Sequence, residues 1–257
     1  MDLYFKIIFF ILGSVMGSFF HVVATRLSNN ESIIKPGSHC HVCHKKIKWY
    51  EKIPIISYVI LGGKSRCCKQ RLPISYLIIE VITGSLFSVC YRVFKFTPEL
   101  LINLVFISGL IIVIISDIEY MIILDEVLTL TAVIIVILDL IFFGISITLK
   151  NVLSAALAFV VMYIIKLIGD YIFKRESLGG GDIKLMILFG LVLGLPMSVV
   201  AIFLATFIAF PIALYILFSR KDNMIPFGPF LSIAAIILVV SKLNIQDIIK
   251  SIFIIHI

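Results

Sequence analysis

Ionisable side chains interrupt the apolar stretches of this chain, and they are the first candidates for chemistry. Charged groups are costly inside apolar segments and are usually retained there for a function. The set comprises Glu80, Asp117, Glu119, Asp125, Glu126, Asp139, Lys166, Asp170 and Asp182. Most of the acids fall at expected cytoplasmic ends of segments, where solvation at the membrane interface is the alternative explanation.

Two of these acids, Asp117 and Asp182, are expected at one membrane depth on different helices. Two close carboxylates share one proton, because both cannot be ionised together in a low-dielectric site. One carboxylate then activates water while the other protonates the leaving group. Depth alone is a weak criterion, since several acids satisfy it. For Asp139 the sequence leaves two alternatives open, pairing with Lys166 or exposure to water.

Asp182 directly follows Gly179, Gly180 and Gly181. Glycines permit positive φ angles and close approach of the backbone to a ligand. The alternative is a flexible loop that ends at Asp182 as the N-cap of the next helix. Lys184 adds a positive charge two residues later.

Four cysteines form two close pairs in one polar stretch: Cys40 and Cys43, then Cys67 and Cys68. On the reducing side of a membrane such cysteines bind zinc more often than they form disulfides. Two adjacent cysteines rarely reach one metal, so His41 or His44 is an alternative ligand, and reduced thiols without metal are the other alternative. Cys90 is interpreted as a small apolar residue within a helix.

The segments that must position these residues are strongly apolar. Of 257 residues, 61% are apolar and 14% are charged, and the mean hydropathy is +1.17. A soluble domain carries about 25% charge, so a soluble fold and disorder are both excluded. The sequence predicts an all-α, polytopic membrane protein with about eight spans, the sixth and eighth short. These are 4–25, 74–94, 99–116, 127–147, 151–169, 184–195, 197–218 and 228–241.

The net charge of +7 is concentrated in one insert. Residues 26–71 hold ten basic and two acidic residues, whereas the rest of the chain is nearly neutral. The positive-inside rule places this insert in the cytoplasm and the N-terminus outside. The first segment is interpreted as a retained span, because no A-x-A cleavage site follows it. We predict three parts: a first helix (1–25), a basic cytoplasmic cysteine insert (26–72) and a transmembrane domain (73–257) that carries both candidate catalytic aspartates.

The later polar loops agree with this orientation for the most part. Basic residues at 174–175 and 220–221 fall on the predicted cytoplasmic side, whereas Lys242 and Lys250 fall outside as exceptions. The alternatives to catalysis by the two aspartates are a transporter and an inactive assembly factor. No convincing internal repeat supports a transporter, and no H-E-x-x-H or G-x-S-x-G supports another protease chemistry.

Several motifs resemble those of the type IV prepilin peptidases, which belong to the GxGD aspartic membrane proteases. They are Gly17-Ser18-Phe19-Phe20-His21-Val22-Val23 with Arg26-Leu27, Cys40-x-x-Cys43 with Ile53-Pro54 and Ser57-Tyr58, Ile74-Ser75-Tyr76 with Glu80 and Thr83-Gly84, Asp117 to Asp125, Gly179-Gly180-Gly181-Asp182-x-Lys184-Leu185, and Pro226-Phe227-Gly228-Pro229-Phe230. Their order along nearly the whole chain makes the resemblance specific.

The resemblance implies a membrane-embedded endopeptidase that needs no cofactor for proteolysis. Asp117 and Asp182 would be catalytic, with support from Gly179, Gly181, Lys184, Asp125 and Glu80. Substrates would be type IV pilin-like precursors with a short basic leader, cleaved after a glycine at the cytoplasmic face. Many members also methylate the new N-terminus with S-adenosylmethionine. The chain is most similar to Gram-positive competence members, which process pseudopilins in the bacterial plasma membrane, and it would not bind nucleic acid directly.

Three positions depart from the family pattern. Leu124 occupies the family's proline, Gln70 stands where the fourth cysteine is expected, and no proline follows Tyr76. Because leaders are basic, the basic insert is expected to contact anionic lipid, at about 1 kcal/mol per nearby basic residue, and not the leader.

Overall fold

The protein is helical in this computed structural model, which describes residues 2–35, 37, 43, 45–218 and 226–243. The helices are α1 (Asp2–Ser28), a short 3₁₀ helix (Trp49–Lys52), α2 (Ile56–Ile60), α3 (Ile74–Phe94), α4 (Pro98–Tyr120), α5 (Asp125–Phe143), α6 (Ile145–Phe173), α7 (Gly180–Val192), α8 (Gly194–Phe218) and α9 (Gly228–Ser241). An isolated antiparallel bridge joins Lys64 and Arg71 in the insert.

All eight predicted apolar segments are helices, which confirms the all-α polytopic fold. Six of them, namely α1, α3, α4, α5, α6 and α8, are long and apolar enough to cross a membrane. The other two, α7 and α9, have 13 and 14 residues. At 1.5 Å per residue they measure about 20 Å, less than the roughly 30 Å of a bilayer core. These are the two segments that the sequence predicted to be short.

The chain forms two compact units, Met1–Phe96 and Thr97–Ile257. The first contains α1, the insert and α3, and the second contains α4 to α9. The predicted division into residues 1–25, 26–72 and 73–257 places α1 and α3 in different parts, and it stays a prediction. In the structure these two helices pack together.

Small residues bring α1 and α3 into close contact in the first unit. Gly13 and Gly17 are spaced as G-x-x-x-G, a pattern that lets apolar helices approach closely. An ideal Cβ on Gly13 would lie 2.6 Å from the Thr83 carbonyl oxygen and 2.9 Å from Gly84 Cα. A Cβ on Gly17 would lie 2.8 Å from Thr83 Oγ1. Side chains at these positions would therefore push the two helices apart.

In the second unit α4 is the central helix. Its side chains Phe106, Leu110 and Val113 are fully buried. Phe106 packs edge-on against Phe189 of α7, with ring centroids 6.0 Å apart. By contrast α8 exposes large apolar side chains such as Phe207, which is typical of a surface that faces lipid.

The chain alternates direction through α4 to α9, so one end of this unit collects the ends of α4, α6 and α8. The starts of α5, α7 and α9 meet at the same end. Contacts between helices confirm the arrangement: Lys184 of α7 bonds Asp125 of α5, and the start of α9 reaches Asp117 of α4. Both candidate catalytic aspartates therefore lie at this end.

We expect Gly13→Ala to destabilise the first unit by about 1–3 kcal/mol, because the added methyl meets backbone atoms of α3 that cannot easily move. The control is Val15→Ala on the same helix, where the valine is 49% exposed. Thermal unfolding of the detergent-purified protein measures the effect. Equal melting temperatures for both variants would contradict the close-packing interpretation.

Candidate active site

Asp182 lies in the first turn of α7, and the glycine-rich loop forms the start of that helix. The N-cap is Gly179, with φ −67° and ψ 146°, so the alternative interpretation of Asp182 as the N-cap is wrong. The Asp182 carboxylate instead accepts a hydrogen bond from the backbone N–H of Gly179. Asp182 is the third residue of α7, so its carboxylate lies close to the N-cap, where a Cβ on Gly179 would lie 3.3 Å from Asp182 Oδ2.

The three glycines are not needed for positive φ. The positive-φ glycines of the described chain are Gly62, Gly63, Gly144 and Gly194, so these three do not use the positive φ that glycine permits. The requirement at Gly181 is steric: an ideal Cβ there would lie 2.6 Å from Ile123 Cβ. A Cβ on Gly180 would meet no atom within 4 Å. The predicted close backbone approach is present, but a protein side chain provides it.

Asp117 lies three residues before the end of α4, and its carboxylate accepts a hydrogen bond from the backbone N–H of Gly228. Gly228 is the first residue of α9. A Cβ on Gly228 would lie 2.5 Å from Asp117 Oδ2, so only glycine lets the helix start come this close. The positive end of the helix dipole also favours a carboxylate at this position.

The structure brings Asp117 and Asp182 together in the interior of the second unit. Each is only 6% exposed, and the two carboxylates interact electrostatically. Asp182 Oδ1 is buried and has no hydrogen-bond partner among the described residues. Two neighbouring carboxylates with one unsatisfied oxygen form an arrangement that can hold a shared proton or orient a water molecule.

The loop before Gly179 is fixed to the end of α6. The Ser177 backbone N–H donates to Asp170 Oδ1 at 2.6 Å, and the Ser177 hydroxyl donates to the same oxygen at 2.8 Å. Lys166 bonds the other Asp170 oxygen at 3.1 Å. These bonds hold the approach to α7, which restricts where the helix carrying Asp182 begins.

The predicted supporting pair of Asp125 and Lys184 forms an ion pair between helices. Lys184 Nζ lies 2.6 Å from Asp125 Oδ2, and both side chains are about half exposed. An exposed ion pair contributes little to stability, about 0–1 kcal/mol. It connects the starts of α5 and α7, beside the aspartates and not between them. Leu124, at the family's proline position, is the buried N-cap of α5.

Asp139 and Lys166 do not pair in the structure. Asp139 is 3% exposed and accepts a hydrogen bond from Asn151 Nδ2 at 2.8 Å, whereas Lys166 pairs with Asp170. Asp139 follows Asp125 on α5 by 14 residues, about 20 Å along the helix. This buried carboxylate therefore fixes the α5–α6 connection at the far end of the unit.

The cysteine insert in the first unit gathers three thiols. The sulfur atoms of Cys43, Cys67 and Cys68 all lie within 4.8 Å of one another, and the Cys43 and Cys67 sulfurs are 3.0 Å apart. Cys67 and Cys68 both reach this cluster although they are adjacent, an arrangement that the sequence predicted to be rare. Cys40, His41 and His44 lie outside the described residues. Three converging thiols fit the soft, tetrahedral coordination of zinc.

Glu80 belongs to the first unit, where it anchors the insert to α3. It is 7% exposed, and its Oε2 accepts a hydrogen bond from the Ile55 backbone N–H at 2.7 Å. Ile55 has φ 61°, an uncommon value for a β-branched residue. Glu80 thus satisfies the first turn of α2 and positions the insert.

Sequence reasoning missed three residues that position the aspartates: Gly228, Ile123 and Ser177. Gly228 lies within the Pro226–Phe230 motif, which was recognised without a structural role. Ile123 lies between Asp117 and Asp125 at a position that the motif does not specify, and Ser177 lies in a polar loop. Neither has a residue type or spacing that signals a contact between distant helices.

Comparison with known proteins identifies the family. Residues 104–214 match the type IV leader peptidase family, and residues 11–94 match the bacterial peptidase A24 N-terminal domain. A prepilin leader peptidase/N-methyltransferase of Bacillus subtilis is 33% identical over 90% of this chain and 92% of its own length. A protein of the same name from Vibrio cholerae is 28% identical over 92% of this chain and 97% of its own length. Another from Myxococcus xanthus is 32% identical over 72% of this chain and 55% of its own length.

No solved structure matches this chain. The two matched regions together cover most of the sequence, and they contain the α1–α3 pair and the helices that hold both aspartates. The chain is therefore a multi-pass membrane protein that belongs to the type IV leader peptidase family.

Proposed function

We propose that this protein is a membrane-embedded aspartic endopeptidase that removes the short basic leader from type IV prepilin-like precursors. Asp117 and Asp182 are its catalytic carboxylates. The observation that carries the proposal is their common burial and electrostatic interaction at one end of the second unit. The names of the relatives supply the substrate class, prepilins.

The chemistry requires one ionised and one protonated carboxylate. The ionised group takes a proton from water as the water attacks the scissile carbonyl, and the protonated group donates to the leaving amine. Backbone N–H groups from Gly179 and Gly228 hold one bond to each carboxylate. Asp182 Oδ1, which has no partner among the described residues, is the atom available for the shared proton or the water.

The basic insert has a different task from substrate docking. Basic leaders are repelled by an insert of the same sign, whereas anionic headgroups are attracted to it. We assign the insert to lipid contact on the cytoplasmic face of the bacterial plasma membrane. The substrates that fit this architecture are competence-type pseudopilins, and no step involves nucleic acid.

Three thiols of the insert would hold a structural zinc ion, namely those of Cys43, Cys67 and Cys68, with Cys40 as the expected fourth ligand. Closed thiolate sites stabilise small polar segments that lack a core of their own. The ion would stabilise the insert and takes no part in proteolysis. The names of the relatives also include an N-methyltransferase, and we propose methylation of the new N-terminus by S-adenosylmethionine as the second activity. Mass spectrometry of the product N-terminus tests it by the gain of one methyl group.

Asp117→Asn and Asp182→Asn should each reduce leader cleavage by at least about 10²-fold, since each removes one partner of an acid–base pair. The substrate is a pilin-like precursor in detergent, and the products are read by mass spectrometry. Asp139→Asn is the matched control, because it changes an equally buried carboxylate at the far end of α5. Cleavage at the unmodified rate by either Asp117→Asn or Asp182→Asn would refute the dyad.

Purified protein should contain about one zinc per chain, as expected for a single tetrahedral thiolate site. Cys67→Ser and Cys68→Ser should each lower the metal content and expose residues 29–73 to limited proteolysis, while sparing leader cleavage more than insert stability. Cys90→Ser is the control, since that cysteine is buried in α3 away from the cluster. Unchanged zinc in Cys68→Ser would show that the adjacent cysteine is not a ligand.

Topology reporters test the proposed orientation. The first reporter is an enzyme that is active only outside the cytoplasm. It should be active when fused after residue 96 and inactive when fused after residue 122, because the positive-inside rule keeps the basic insert in the cytoplasm. A cytoplasmic reporter at the same two positions should give the opposite result. Reversed activities would place Asp117 at the outer face and contradict the proposed cytoplasmic cleavage.

A further inference from the structure

Ile123 lies in the short turn between α4 and α5, where it fills the gap between the starts of two other helices. It is half-buried. An ideal Cβ on Gly181 would lie 2.6 Å from Ile123 Cβ, 3.0 Å from its Cδ1 and 3.1 Å from its Cγ1. The three nearest atoms thus all belong to Ile123. The start of α7 therefore rests directly on this one side chain.

The same side chain also reaches the start of α9. A Cβ on Gly228 would lie 3.0 Å from Ile123 Cδ1 and 2.5 Å from Asp117 Oδ2. Gly228 is the residue whose backbone N–H holds Asp117, and Gly181 is the residue before Asp182. One isoleucine side chain thus contacts both backbone segments that position the two carboxylates.

From this geometry we infer that Ile123 is a positioning residue that sets the separation of Asp117 and Asp182 by spacing the starts of α7 and α9. The inference rests on the proposed catalytic dyad. Ile123 touches neither carboxylate in the contacts described and acts through Gly181 and Gly228.

The pattern of glycines supports this role. Gly180 has no atom within 4 Å of an added Cβ, whereas Gly181 would clash with Ile123. The Ile123 contact explains why the position just before Asp182 needs glycine while the one before it has room for a side chain. Close packing of this kind transmits the shape of one side chain to its neighbours, because interiors are dense and hardly compressible.

The shape of isoleucine matters for both contacts. Branching at Cβ restricts χ1 and makes the side chain stiff. Ile123→Val keeps Cβ and Cγ1, which lie near Gly181, and loses Cδ1, which lies near both Gly181 and Gly228. Ile123→Ala loses both γ carbons and Cδ1. Ile123→Val therefore removes the α9 contact and weakens the α7 contact, whereas Ile123→Ala leaves only Cβ near Gly181.

The test is steady-state cleavage of a pilin-like precursor by the full-length protein, with kcat and KM determined separately. Ile123→Ala should reduce kcat by about 10–100-fold and change KM by less than about threefold, because a displacement near 1 Å costs this much at a reacting centre. Ile123→Val should give an intermediate kcat. Ile122→Ala, which changes an exposed neighbour in the same turn, should leave both constants unchanged.

The glycine pair provides a second, independent comparison. Gly181→Ala should reduce kcat, whereas Gly180→Ala should not. Combining Gly181→Ala with Ile123→Gly removes every atom of the clash, so the double variant should cleave as fast as Ile123→Gly alone. Multiplicative losses in the double variant would show that the two residues do not act through contact.

Asp117→Asn and Asp182→Asn, measured in parallel, separate the two proposals. If both are inactive while Ile123→Ala and Gly181→Ala retain the unmodified kcat, the positioning role is overturned and the dyad stands. If the aspartate variants cleave normally, the dyad itself fails. The melting temperature of each variant is measured alongside its kcat. The role is also overturned if kcat falls in proportion to the melting temperature and the Gly181→Ala, Ile123→Gly double variant cleaves more slowly than Ile123→Gly alone.

Discussion

Two backbone N–H groups, each at the start of a short helix, hold the two buried carboxylates of this protein. An unpaired carboxylate is very costly in an apolar environment, and the interior of an apolar helical unit offers few donors. The unbonded N–H groups of a helix start supply such donors, together with the positive end of the helix dipole. Gly179 at α7 and Gly228 at α9 serve Asp182 and Asp117 in this way.

This constraint gives a reason for the two helices that are too short to cross a bilayer. A helix of full length would begin at the membrane surface, where its free N–H groups meet water. The helices α7 and α9, with 13 and 14 residues, instead begin beside buried carboxylates. Glycine at the start of α9 then follows from contact distance, since a Cβ on Gly228 would lie 2.5 Å from Asp117 Oδ2. Short helices, glycines and buried aspartates are parts of one arrangement.

Polar contacts elsewhere in the second unit fix the same end of the helices. The Asp170–Ser177 bonds hold the loop before α7, and the Lys184–Asp125 ion pair joins α7 to α5. Each is weak alone, because both are partly exposed. Together with Ile123 they restrict the freedom of the turn, the loop and the helix starts around the aspartates. Preorganisation of this kind is what an acid–base pair needs to act at short range.

The sequence alone determined much about this protein. Its hydropathy placed eight helices and identified the two short ones, its charge distribution predicted an orientation, and its motifs indicated the family. These features are local or compositional, so they can be read along the chain. The order of the motifs also selected Asp117 and Asp182 among nine ionisable candidates. The expected depth of each residue in the membrane could not make that selection, since several acids share it.

Only the tertiary structure decided which groups meet. It assigned Lys166 to Asp170 and Lys184 to Asp125, and it made Gly179 the helix cap in place of Asp182. It brought Cys68 to the same point as Cys43 and Cys67, and it placed Ile123 against Gly181 and Gly228. The Lys184–Asp125 pair, the cysteine cluster and the Ile123 contacts join residues far apart in the chain, and each depends on how helices cross and where turns end. Residue type and local spacing carry no record of that geometry, because it arises only when all the helices pack at once.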